Sequence, residues 1–214
     1  MKIKMRRLLC VVLCLLLGLL LCACASDAKL SEAEISALRS RYPIVTNNVD
    51  KMVMFKEQPY DTFEHVKNEY KGALGVVEAT VTGSDGSVLE IAPADGMAKE
   101  KLNLVFVTVH IDSVIAKQDG VDLSGDVTLY VGLREDLDDQ CDFASGTRLV
   151  LEIYQMNSSL DPEKCPKNWG TAVGSAYYLT EGNYLISMCD YTGPAEKNGV
   201  TLNAFRSELK NLYR

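Results

Sequence analysis

"NLVFVTVHIDSVIA", residues 103 to 116, places Val105, Val107, Val109 and Ile111 at every second position. A period of two sends successive side chains to opposite faces of an extended chain, whereas a helix would need apolar residues every three to four. The stretch therefore predicts a strand with one apolar and one mixed face. The same period spreads outward from it. "ALGVVEATVTG" (73 to 83) reads as a strand, "DVTLYVGL" (126 to 133) alternates Val127, Leu129, Val131 and Leu133, and "TRLVLEIYQ" (147 to 155) alternates Leu149, Leu151 and Ile153. "AYYLTEGNYLISMCD" (176 to 190) reads as a hairpin around Glu181-Gly182-Asn183. Asp119-Gly120, Ser124-Gly125 and Ser145-Gly146 supply turns. Five strand regions, one split by a hairpin, predict a mainly β fold with flanking helices (α+β). Its centre is a small five-stranded antiparallel barrel, closed or half-closed, because closure leaves no strand edge exposed.

Helical spacing brackets the β region. In "SEAEISALRSRY" (31 to 42), Ser31 stands three residues before Glu34, a capping-box signature, and Ile35, Leu38 and Tyr42 share one stripe until Pro43 stops the helix. This helix either rises from a membrane as a spacer or packs on the domain. A second helix is expected from Asp61 to Lys71 through Phe63, Val66 and Tyr70, and a last one from about Leu202 to Tyr213 with Phe205, Leu209 and Leu212 inward.

The chain opens with Lys2, Lys4, Arg6 and Arg7 and continues in an apolar run from Leu8 to Leu21, the order of a secretory signal peptide. Fourteen helical residues reach about 21 Å, short of the roughly 30 Å a spanning helix must cross. Leu21-Cys22-Ala23-Cys24 resembles the lipobox of bacterial lipoproteins: small Ala23 precedes Cys24, and Leu21 lies three positions before it. The resemblance implies cleavage after residue 23, a diacylglyceryl group with palmitate-type chains on the Cys24 thiol, and attachment to the extracytoplasmic side of a bacterial cell membrane. Two acyl chains supply the double signal that stable anchoring needs. The expected organisation is a signal peptide over 1–23, a tether and helical leader over 24–71, and the barrel domain with its C-terminal helix over 72–214.

Cleavage would remove four of the 22 basic residues and none of the 29 acidic ones, leaving 18 against 29, a net charge of −11. Such a chain repels phosphate backbones, so nucleic acid is not an expected partner. Of seven cysteines, Cys10, Cys14 and Cys22 leave with the signal and Cys24 takes lipid, so Cys141, Cys165 and Cys189 remain. Three cannot all pair: one disulfide with a free thiol, or three reduced buried thiols, are both open. Their spacing has no C-x-x-C and only His65 and His110 could join them, so no metal or other cofactor is expected.

The order of strands and turns resembles a group of bacterial surface lipoproteins of uncharacterised function that carry a small OB-like barrel. The resemblance covers roughly residues 72 to 190 and rests on "GVVEATVTG", on "VTVHIDSVIAKQDG" leading into "SGDVTLYV", and on "FASGTRLVLEIYQ". It implies fold and location and carries no activity with it.

With the Val/Ile/Leu series inward, the opposite faces present Thr108, His110, Asp112, Thr128, Tyr130, Arg148, Glu152 and Tyr154. Thr108, His110, Tyr130, Arg148 and Tyr154 form a possible ligand face, since OB-like barrels bind on such surfaces; the alternative is the solvated side of a sheet. No catalytic residues are assigned. Ser113 is expected on the face opposite His110 and Asp112, and there is no G-x-S-x-G or H-E-x-x-H. "REDLDDQCDFASG" (134 to 146) imitates the start of a calcium loop with Asp136, Asp138, Gln140 and Asp142. It has Cys141 where the turn requires glycine and Thr147 where a bidentate Glu belongs. Trp169 is either a packing residue or an exposed ring for sugar stacking.

These features predict a lipid-anchored extracytoplasmic binding or interaction module without catalytic activity, its partner an envelope protein or small ligand. Two alternatives stand beside it. One is an inhibitor-like module, by analogy of fold with netrin-type domains and the tissue inhibitors of metalloproteinases. The other is a small envelope enzyme using His110, Asp112 and Arg148.

Overall fold

A computed structural model of the chain describes residues 28–43, 73–91, 99–134, 143–157, 159–189 and 194–212. The expected signal segment with Cys24, the helix expected over 61–71 and most of the acidic loop with Cys141 lie outside the described residues.

Period-two sequence forms strands where expected, and some are longer. β1 runs Ala73–Ile91, β2 Glu100–Lys117, β3 Gly125–Leu133, β4 Arg148–Gln155, β5 Trp169–Gly170, β6 Tyr177–Leu179 and β7 Leu185–Ser187. α1 spans Glu32–Leu38 and α2 Leu202–Leu212. The protein is mainly β, with all seven strands in one mixed sheet. Pairing runs β1–β2–β3–β5–β4 and returns from β4 to β1, while β6 and β7 continue outward from β4. The expected all-antiparallel arrangement of five strands is corrected at one seam, since β5 runs parallel to β3 through Tyr130 and Gly170. A two-residue strand carries too little periodicity to be read from sequence; it forms because β3 and β4 both offer it hydrogen bonds.

β1 also passes through Gly83 and Gly86, where local turn chemistry predicts an end. The first half of β2 supplies a partner for every residue from Ser84 to Ile91, and cross-strand pairing overrides local preference. Register shifts at Val76/Val77, Glu78/Ala79 and Val81/Gly83 bend β1, so it pairs with β2 along its length and with β4 over residues 73–80. Beyond the bend, Ser87 Oγ donates to Asp161 and Lys164 pairs with Asp85, tying the hairpin to the segment after β4.

Alternation then sorts the side chains into three apolar clusters. The main one holds Val77 and Ala79 of β1, Val107, Val109 and Ile111 of β2, Val127, Leu129 and Val131 of β3, and Leu149, Leu151 and Ile153 of β4. Trp169 joins it at 9% exposure, so it is a packing residue; the Lys167 ammonium lies 4.3 Å from its ring centroid. On the other face, Val76, Ile115 and Val150 meet Tyr177, Leu185 and the Leu202, Phe205 and Leu209 side chains of α2. Each such fully buried side chain contributes about 1.5–3 kcal/mol. The third cluster sets Leu104 and Phe106 against Cys165, with Tyr130 edge-on to Phe106 at 5.8 Å. β4 is therefore covered on both faces, which explains its continuous apolar reading.

α1 packs on this domain. The Ser31–Glu34 capping box is formed, Ile35 is buried, Leu30 N–H donates to Gly199 C=O at 2.9 Å, and Arg39 donates to the Ser187 carbonyl at 2.7 Å. Cys165 and Cys189 are both buried, at 1% exposure each. Burial pushes the Cys165 thiol up, so it stays protonated and hydrogen-bonds the Thr128 and Trp169 carbonyls, a structural use. Among the described residues no helix is long and apolar enough to cross a membrane.

Candidate functional site

The outer face of β3, β2, β1 and β4 carries a row of polar residues in lateral register. Asp126 pairs with His110, His110 with Thr80, and Thr80 with Arg148. Lateral partners project to the same face, so His110 and Arg148 stand two strand spacings apart, about 10 Å. His110 Nδ1 lies 2.7 Å from Asp126 Oδ1, both side chains more than half exposed. Thr80 Oγ1 donates to Asp112 Oδ2 at 2.7 Å.

The next layer centres on Glu78. Its Oε1 accepts from Arg148 Nη2 at 2.7 Å, and its Oε2 accepts from Arg206 Nη2 at 2.9 Å and Ser113 Oγ at 3.1 Å. Arg206 Nη2 also donates to Ser113 Oγ at 2.6 Å, and Arg148 Nη2 to Asn183 Oδ1 at 3.0 Å. β1, β2, β4, α2 and the β6–β7 turn thus each contribute one residue. The turn can reach because Asn183 adopts φ 60°, a conformation asparagine tolerates better than most residues. Burial of Glu78 opposes its charge, but hydrogen bonds from Arg148 and Ser113 and the two guanidinium charges outweigh it, holding the carboxyl below its ordinary range. A guanidinium has five N–H donors, and among the described residues each of these bonds through Nη2 alone. With their side chains 36% and 32% exposed, Arg148 and Arg206 keep donors open to an incoming group.

A β-bulge corrects the expected placement of Ser113. Glu78 pairs with Ser113 and Ala79 with Ile111, leaving Asp112 as the extra residue. The bulge turns Asp112 and Ser113 to the same outer face, where alternation alone would oppose them. Even so, Ser113 bonds to Glu78 and Arg206 and not to His110. A carboxylate held in its ionised form by two arginines is a poor proton acceptor, so the geometry assembles no activated nucleophile at Ser113.

The five residues of the possible ligand face occupy three surroundings. His110 and Arg148 share the polar row. Thr108 bonds the Thr128 hydroxyl at 3.0 Å on the same face of β2 and β3, while Tyr130 sits partly buried in the third apolar cluster. Tyr154 lies at the far end of β4, its ring against the backbone of Gly170; a Cβ there would come within 2.7 Å of the ring, so glycine makes room for it. Sequence reading missed Glu78 and Arg206. Glu78 interrupts the apolar run of "GVVEATV", which marks it as a residue needing a partner, but nothing local pairs it with a helix 128 residues away.

Glu152 also departs from expectation. It alternates outward from β4, yet it is 1% exposed and not part of a solvated face, because α2 and the segment before β6 cover that side. Burial raises its pKa to about 7, offset only in part by the Ser175 hydroxyl. Among the described residues, no group of three or more His, Cys, Asp or Glu is placed to hold a metal ion.

No protein-family model matches the chain, and no curated protein or solved structure matches it.

Proposed function

We propose that the chain is a lipid-anchored extracytoplasmic binding module without catalytic activity, built on an OB-like five-stranded barrel, and that the row His110–Thr80–Arg148 with its Glu78–Arg206 neighbours is its docking patch. The observation that carries the reading is the hydrogen-bonding state of that patch. Its carboxylate and hydroxyl groups are already committed to one another, while two partly exposed guanidiniums retain unused donors beside an exposed imidazole. Such a surface suits recognition of a polar group, and among the described residues the Ser113 hydroxyl has no free base beside it. The pairing order β1–β2–β3–β5–β4–β1 supports the OB-like reading. The lipobox resemblance at Leu21–Cys24 supports attachment through Cys24 to the bacterial cell membrane, facing outward.

The test is capture from a detergent-solubilised envelope extract with residues 25–214, in wild-type form and as Arg148→Ala. A partner or small ligand retained by the first and lost from the second supports the patch. Equal retention by both places binding elsewhere, and no specific retention refutes the reading.

A further inference from the structure

Glu152 is a carboxyl group in the wrong surroundings for a charge. It lies between Leu151 and Ile153 on β4, opposite Val76 of β1, at 1% exposure. On its other edge β4 pairs with β6 at Leu149 and Val150 and with β5 at Tyr154 and Gln155, so Glu152 falls in the gap between these pairings. Residues 171–176, with a 3₁₀ turn at Val173–Ser175, cross that gap. The segment is held by few bonds: Thr171 N–H to Tyr130 C=O at 2.9 Å, Met188 N–H to Ala176 C=O at 3.0 Å, and Cys189 Sγ to Gly174 C=O at 3.7 Å.

The polar groups facing Glu152 compensate a charge only in part. β1 presents Val76, and the 3₁₀ turn presents the Ser175 hydroxyl, which also reaches the Ala172 C=O at 3.2 Å and offsets the burial of the carboxyl only in part. β6 presents Tyr177, and Cys189 after β7 and Glu208 of α2 act on the same phenol, each disfavouring its ionisation along with Glu152. Every one of these groups is neutral or potentially negative. The guanidiniums of Arg148 and Arg206 are bonded to Glu78, and among the described residues Glu152 Oε1 has no hydrogen-bond partner. An ionised carboxylate so placed must find water, since burying an unpaired charge is among the costliest arrangements a fold can hold.

We propose that Glu152 is a proton-controlled latch: protonated, it lets residues 171–176 close over β4; deprotonated, it opens that segment to water while the ring of longer strands stays folded. The longer strands resist because each is paired over many residues, whereas 171–176 is a short irregular crossing whose hold on the core is Val173 and Ala176, a smaller barrier to opening than the strand ladders. Burial places the transition near pH 7.

The experiment is amide hydrogen exchange on residues 25–214 between pH 5.5 and 8.5, corrected for intrinsic rates, with β1 and β2 as internal reference. In the wild type, protection of 171–176 should fall as pH rises toward 7, the open population growing by up to about tenfold per pH unit between the carboxyl's ordinary 4.5 and about 7 and levelling off above it. Glu152→Gln, which cannot ionise, should keep the low-pH protection throughout. A flat wild-type profile, or the same fall in both proteins, overturns the latch. Should Glu152→Gln not fold, the wild-type carboxyl is followed by ¹³C NMR: titration near 7 supports the proposal, and titration near the ordinary 4.5 overturns it.

Discussion

Replacing Glu78 by alanine removes an acceptor that joins β1, β2, β4 and α2. Three hydrogen bonds disappear, from Arg148 Nη2, Arg206 Nη2 and Ser113 Oγ. A hydrogen bond to a charged group contributes roughly 1.5–3 kcal/mol when buried. Both guanidinium side chains are about a third exposed, so solvent screening reduces each ion pair toward about 1 kcal/mol. With about 1 kcal/mol for the serine, the loss is about 2–3 kcal/mol. For a domain of this size that lowers the thermal midpoint by roughly 4–12 °C. The pH dependence follows from the sign of the shift. The folded carboxyl titrates below its ordinary 4.5, so its contribution is fully present above the unfolded value and is lost as pH falls through the folded one. Differential scanning calorimetry of wild type and Glu78→Ala should therefore show a gap that is constant at neutral pH and narrows in acid. A gap below about 1 °C at pH 7, or one unchanged down to pH 3, would refute the view that Glu78 clamps α2 to the sheet. A double-mutant cycle with Arg206→Ala isolates the pair and should give a coupling of about 1 kcal/mol.

Three further outcomes are expected. Gly75→Ala should destabilise by about 1–3 kcal/mol in urea unfolding, because the new Cβ would overlap the Ala116 carbonyl and come within 2.8 Å of Leu123 Cδ1. Phe205→Ala empties a site at 1% exposure against Tyr177, so a loss of about 3–5 kcal/mol is expected, with early exchange of α2 amides. Cys24→Ser in the full chain should abolish incorporation of labelled palmitate and leave the precursor uncleaved; unchanged labelling would place the lipid elsewhere.

Period-two patterning by itself determined that four long strands would form, because each needs only one continuous apolar face, as in Val105 to Ile111 and Leu149 to Ile153. Local chemistry likewise announced the Ser31–Glu34 cap, the Glu181–Asn183 hairpin turn and the breaks at Gly120, Gly125 and Gly146, which the structure finds at positive φ, since each depends on residues within four positions of one another. Long-range contacts decided the rest. The pairing that carries β1 to Ile91 depends on β2, and β5 exists only where β3 and β4 accept it. The bulge at Asp112 turned Ser113 outward against simple alternation. Whether a polar residue on an outer face meets water, an arginine or a covering segment is likewise a property of the folded chain. The same alternation that sent His110 to solvent sent Glu78 into the grasp of two arginines and Glu152 beneath a closed segment.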